Sequence, residues 1–340
     1  MTLLRLLSKL AGFTGLLFCA IEIGSRLAVP VSFTRQISVP YMYENSQEVG
    51  YKLRKNMITR VRAWDGKKDL FHVKYQTDQF GRRIIPLSYN EMRNRHFVIL
   101  GGSTVFGMGL RDEETLSYFL GLGSQKTTPY NYACDGYGPQ NAYAQLKSGV
   151  LQNEVPEEDG EVVFFFQMLN QTGGHIQTLL GRFELLLDGW GESLPMYTIE
   201  EGKLPQARGP LREFAPFKFH SFKFFQNFHS LNLAYPKLDP IDEQEIKKTI
   251  AFMKALATEV KVAKPKSRFL IVIHPLSDRR KSKLIAQAFA EAGLTVVDFS
   301  DLVPLSDLPQ HIAFNRYFPH PNGKLNALFA DALISKLSLP

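Results

Sequence analysis

The chain has 340 residues, 44% of them hydrophobic, with a net charge of +7 and only two cysteines. That length and apolar content suffice for a full core without disulfide staples, which excludes a disulfide scaffold and a disordered chain. The basic residues are interleaved with acids and carry no nucleic-acid module signature, so the charge implies solubility and some affinity for an anionic membrane or acidic glycan, not nucleic acid.

Taken in chain order, Arg5 and Lys9 precede an uncharged run over residues 10–21, beyond which stand Glu22 and Arg26. As a helix that run is about 18 Å long against a hydrocarbon thickness of about 30 Å, which suits a signal-peptide core or a short anchor whose charged ends snorkel. No small-x-small cleavage site follows, and Phe18 before Cys19 argues against a lipoprotein box. Residues 1–31 therefore read as an uncleaved signal anchor, single-pass in the cytoplasmic membrane. Positive charge before the core places the body on the extracytoplasmic (periplasmic) side. The competing reading is an amphipathic or buried helix. Over residues 32–94, polar and apolar positions alternate, as from Phe71 to Gln76, with Asn and Gly breaks. This predicts a small β-rich extension.

Residues 95–340 alternate in the α/β manner. Apolar strands are expected at 97–100, 130–133, 162–167, 269–273 and 294–298, with helices at 113–122, 140–152, 242–262, 281–292 and 325–337. The pattern predicts a parallel sheet between two helix layers, a three-layer α/β/α fold. An insertion at about 185–240 interrupts it. There Phe217, Phe224, Phe225, Phe228 and Leu231 fall on one helical face, beside Lys218, His220 and Lys223. This is either an amphipathic helix on the core or an aromatic lid for an acyl chain or membrane interface.

The run 97–100 ends in Gly101, Gly102 and Ser103, which places Ser103 at a strand end, where open α/β sheets bind ligands. An ordinary polar turn is the plain alternative. At the other end of the chain, His320 stands just before the last predicted helix. An early serine and a late histidine fit a nucleophile and its base, which folding brings together at any separation; alone, His320 reads as a loop or capping residue. Cys134 reads as a small buried residue beside a turn, and Cys19 lies in the N-terminal apolar segment, so neither a bridge nor a metal site is built from them.

These residues belong to a longer pattern. Gly101-Gly102-Ser103-Thr104 with Gly107 and Asp112 to Thr115, Asn131 to Gln140 around Gly136, Val162 to Gln167 followed by Asn170, and His320-Pro321-Asn322 stand in order along the chain. Together they resemble the four blocks of the SGNH (GDSL-like) hydrolase and acyltransferase superfamily, in a membrane-anchored bacterial branch where Gly-Gly-Ser replaces Gly-Asp-Ser. The stretches Gly50 to Arg54 and Gln79 to Arg83 are similar to a lead-in found in anchored members. The resemblance implies an SGNH/flavodoxin-like sheet, Ser103 as nucleophile, His320 as base, and an oxyanion hole from the Ser103 amide, the Gly136 amide and the Asn170 side chain. It implies no metal and no organic cofactor.

One position departs from the pattern. The aspartate that the family places three or two residues before its histidine is replaced by Tyr317 and Phe318. Either Ser103 and His320 work as a dyad, with a backbone carbonyl or an acid such as Asp301 orienting the imidazole, or the site has lost its chemistry. The resemblance thus implies a membrane-anchored serine esterase or O-acyltransferase acting on an ester of an envelope glycan; the alternative is a degenerate relative that binds glycan or assists assembly.

Overall fold

The computed structural model describes residues 2–28, 34–37, 42–64, 69–88, 92–167, 193–200, 202–214, 243–313 and 320–340, with 216, 217, 220 and 224. Helix α1 (Thr2–Ala28) opens the chain, and Leu10, Phe13, Leu16, Leu17, Ile21 and Ile23 are exposed on it. The spanning segment expected here is not found: among the described residues no helix is long and apolar enough to cross a membrane. The reason is the bracket of Arg5, Lys9, Glu22 and Arg26, which leaves only a short uncharged stretch between them.

Five strands follow: β1 (Thr34–Ile37), β2 (Tyr43–Ser46), β3 (Gly50–Leu53), β4 (Ile58–Trp64) and β5 (Asp69–Gln76). β2 and β3 form a hairpin, and β4 pairs antiparallel with both β1 and β5. Along β4 exposure alternates, with Val61 and Ala63 turned inward, as a sheet solvated on one face requires.

The α/β part then runs through β6 (Arg95–Leu100), a helical turn α2 (Ser103–Phe106), α3 (Leu116–Gly123), β7 (Thr127–Asn131), α4 (Pro139–Lys147), α5 (Val150–Glu154) and β8 (Asp159–Phe166). A hairpin, β9 (Pro195–Thr198) with β10 (Gln206–Pro210), precedes α6 (Glu243–Ala263), β11 (Arg268–Ile273), α7 (Arg279–Glu291), β12 (Val296–Asp298) and α8 (Gly323–Leu337).

Strands β12, β11, β8, β6 and β7 lie side by side in that order, all parallel. β6 and β8 are buried almost end to end, which accounts for their unbroken apolar runs. Alternate residues feed two cores. Phe97, Ile99, Val163, Phe165 and Val272 pack with Leu116, Leu120 and Phe329 from α3 and α8. Val98, Leu100, Phe164, Phe166 and Ile273 pack with Tyr143, Phe252 and Phe289 from α4, α6 and α7. Three layers result. The chain leaves β6 toward one edge and returns at β8 toward the other, so the order reverses between β6 and β8. In such sheets the crevice at the carboxyl ends of those two strands is the binding position.

Two expected helices are broken. The one at 113–122 splits into a 3-10 turn, Asp112–Glu114, and α3, because the Thr115 hydroxyl accepts the Tyr118 N–H and restarts the helix as its cap. The one at 140–152 breaks between α4 and α5 at Gly149. Of the phenylalanine stripe, Phe217 and Phe224 are exposed, while Phe225, Phe228 and Leu231 lie outside the described residues.

The extension is joined to the sheet by its core and by one cation. Met42, Tyr43, Val49, Tyr51 and Leu53 belong to the same buried cluster as Phe97 and Phe165. The Arg83 guanidinium, almost fully buried, donates from Nε to Asp112 at 3.0 Å and onward to the carbonyls of Phe106, Gly107 and Leu110. It also lies over the rings of Tyr75 and Phe106. Removing one member of a buried, hydrogen-bonded pair costs about 3–5 kcal/mol, because the other charge is stranded. Arg83→Ala is therefore expected to lower stability by about that amount in urea unfolding. Loss of the exposed Arg62–Asp69 pair, 2.8 Å apart, should change it by less than about 1 kcal/mol.

Candidate active site

Ser103 opens α2 directly beyond β6, at the carboxyl end of the sheet. The turn demands Gly101: its φ is +151°, and a Cβ there would meet Val105 Cγ2 at 2.9 Å and the Phe165 carbonyl at 3.2 Å. The Cys134 N–H donates to the Gly101 carbonyl at 3.2 Å, which ties the turn after β7 to the nucleophile turn.

His320 arrives from the far end of the chain at the start of α8. Its carbonyl accepts the Ala313 N–H at 2.8 Å, and Pro321 bridges Ile312. Asn322 caps α8 by accepting the Leu325 N–H at 3.0 Å, and its own amide donates to the Gln310 carbonyl at 2.7 Å. Asn326 one turn later donates to the Glu114 carbonyl, and Gly323 rests on the Glu114 side chain, so α8 is seated on the loop that follows Ser103. The result is direct contact: the Ser103 hydroxyl lies 2.8 Å from His320 Nε2 across 217 positions of sequence. With the hydroxyl donating, Nε2 is the acceptor and the imidazole proton sits on Nδ1. His320 is buried, 3% exposed.

The remaining expected site residues divide. Gly136, with φ +72°, stands in the turn after β7, between Asp135 and Tyr137. Tyr51 of the extension holds this turn by donating to the Asp135 carbonyl at 2.5 Å, while Tyr137 donates to the Tyr51 carbonyl. The Tyr51 and Tyr137 rings meet edge to face at 5.2 Å. Asn170, Tyr317 and Phe318 lie outside the described residues. Asp301, the acid offered to orient His320, has a half-exposed carboxylate that pairs with Arg279 at 3.2 Å and Lys283 at 3.3 Å, both from α7. Cys134 is buried and Cys19 is exposed on α1, and no disulfide joins them. Among the described residues no cluster of three or more His, Cys, Asp or Glu side chains is placed to hold a metal.

Three residues escaped the sequence reading. Arg83 fixes the loop that follows Ser103. His274, fully buried just past β11, accepts the Leu276 N–H on Nδ1 and packs on the Phe329 ring. Burial, with a smaller contribution from the nearby His320, pushes its pKa down to about 3, so it stays neutral beside the base. Gln167, the residue after β8, joins Gly102, Ser103, Thr104 and Tyr137 in the wall of the cleft, over Phe164, Phe165 and Phe166. For His274 and Gln167 the available signal was their position at a strand's carboxyl end, the same signal that marks Ser103.

No family model and no curated relative matches the sequence. Among solved structures, the chain is similar to a lipolytic protein of the G-D-S-L family from Veillonella parvula, at 11% identity and a TM-score of 0.38 over 72% of this chain and 98% of the other. A second is a putative G-D-S-L lipolytic protein from Desulfitobacterium hafniense, at 13% identity and a TM-score of 0.39 over 69% and 95% of the two chains. A third is an acetyl xylan esterase from Butyrivibrio proteoclasticus, at 9% identity and a TM-score of 0.36 over 91% and 84%.

Proposed function

We propose that the protein is a serine esterase or O-acyltransferase of the SGNH (GDSL-like) kind that works through an acyl-Ser103 intermediate. The observation that carries this reading is the 2.8 Å contact between Ser103 Oγ and His320 Nε2 at the point where the strand order reverses. His320 takes the hydroxyl proton as the oxygen attacks an ester carbonyl, and the imidazolium returns it to the leaving alcohol. The negative charge on the carbonyl oxygen falls to the Ser103 and Gly136 amides and, by the resemblance, to Asn170. Water then releases the acyl group as an acid, or a sugar hydroxyl accepts it. The substrate we propose is an acyl ester, an O-acetyl group in particular, on an envelope glycan.

Location belongs to the same proposal. Exposed Leu10, Phe13, Leu16, Leu17 and Ile21 on α1, preceded by Arg5 and Lys9, suit a helix held at an anionic bilayer. The catalytic part then works on the extracytoplasmic side of the cytoplasmic membrane.

A second reading, a binding protein without catalysis, draws on the occupation of Asp301 by Arg279 and Lys283. Fluorophosphonate treatment separates the two. The esterase reading expects an adduct on Ser103 by mass spectrometry, absent in Ser103→Ala, whereas an unlabelled wild type favours binding.

His320→Ala should abolish turnover of a p-nitrophenyl ester while leaving the circular dichroism spectrum unchanged. In the wild type, activity should fall as pH is lowered, since imidazolium accepts no proton from Ser103. The fold has an acid sensitivity of its own. His274 is held neutral in the native state but protonates below about 6.5 when unfolded, so the stability it contributes is full above that pH and declines toward pH 3. Initial rates taken where circular dichroism reports an intact fold isolate the His320 effect, and an activity independent of pH there would contradict the dyad.

For location, the protein should sediment with membranes, and protease added to spheroplasts should digest the catalytic part. Digestion only after lysis would place it on the other side.

A further inference from the structure

Gln167 is the first residue beyond β8, and its side chain is 94% buried by the 6% exposure it retains. Its carboxamide nitrogen meets no hydrogen-bond acceptor among the described residues. Native interiors seldom leave such a donor unmatched, because the group loses its water on burial and gains nothing in return, at a cost of about 1–3 kcal/mol. An apolar side chain of the same length would fill this place without that penalty.

The position of the donor gives it a use. The side-chain alternation of β8 sends Val163 and Phe165 to the core face shared with Phe329 of α8, and Gln167 continues that series. Phe165 and Phe329 meet edge to face at 5.8 Å beneath it. At the head of α8 stands His320, bonded to Ser103. Gln167 and Ser103 line one cleft, at the adjacent carboxyl ends of β8 and β6. His274, which follows β11, also has an unmatched ring nitrogen, Nε2, but it does not line this cleft. Gln167 is thus an unmatched donor in the wall of the cleft that holds Ser103.

We infer that Gln167 is a catalytic residue whose carboxamide N–H donates a hydrogen bond to the acyl oxygen of the ester held on Ser103. The inference rests on the acyl-Ser103 reading and adds a donor to it. The acyl oxygen is the acceptor of choice because it gains negative charge as the tetrahedral intermediate forms, and a donor already stripped of water strengthens with that charge at no cost of reorganisation. Before substrate arrives, the donor is a local strain on stability.

Gln167→Met tests this in the full-length protein, with p-nitrophenyl acetate turnover, fluorophosphonate labelling rate and thermal midpoint measured together. The expected result is a kcat lowered on the order of 100-fold with KM little changed, a slower labelling rate, and a midpoint equal to or above that of the wild type. Gln167→Asn, which keeps a shorter donor, should recover part of the rate. Wild-type kcat in Gln167→Met overturns the inference and leaves the Ser103–His320 reading standing. So does a fall of kcat and midpoint together with no recovery in Gln167→Asn, which marks a structural role. A wild type that neither turns over nor labels, matching Ser103→Ala, defeats the underlying reading and this inference with it.

Discussion

The buried Arg83 guanidinium, with Asp112 facing it, is the interaction on which the other parts of the molecule depend. A planar cation with five donors in fixed directions satisfies a carboxylate and several carbonyls at once, which a lysine does not do. Here those acceptors are Asp112 and the carbonyls of Phe106, Gly107 and Leu110, the stretch that follows the nucleophile. Loop carbonyls at a sheet end normally face water. Arg83 supplies their partners from inside, so the loop sits against the core with its hydrogen bonds complete. The segment that supplies Arg83 also supplies Tyr51, which holds the turn bearing Gly136. The extension therefore braces both loops that border Ser103.

A second set of contacts sets His320. His320 is fixed through its backbone and through the helix it precedes, since Asn322 caps α8 while Asn326 and Gly323 press α8 onto Glu114. Ser103 and His320 are thus referred to the same short segment, 103–115, from opposite directions. A hydroxyl and an imidazole held in this way keep their separation without depending on the bond between them, as a preorganised site requires. His274, held neutral by burial, adds no positive charge near His320.

Much of this was legible in the sequence, for identifiable reasons. Strands buried on both faces must be apolar throughout, and β6, β8 and β11 could be read from their composition alone. Ser103 and His320 were legible because each stands where an element begins or ends. The breaks at Thr115 and Gly149 were not, since a helical period runs through both and only the cap geometry shows the interruption. Neighbouring arginines were equally opaque. Arg82, partly buried, stacks over Tyr130 and Tyr132, whereas Arg83 is almost fully buried against the loop that follows Ser103, and nothing local distinguishes them. The α1 run was read as a short anchor; its flanking charges weighed more heavily in the structure than in that reading. Gln167 became visible only when the register of β8 against β6 placed it beside Ser103.

The shared core of the extension and the sheet also constrains the order in which the chain acquires structure. Met42, Tyr51 and Leu53 belong to one buried cluster with residues as distant as Phe329 and Leu333. A ribosome delivers the extension before α8, so this cluster is complete only after the residues of α8 have been made. Contacts of such long sequence separation slow folding and prolong exposure to aggregation. The same order means that the Ser103–His320 contact, made across 217 positions of sequence, forms only after the start of α8 has been made.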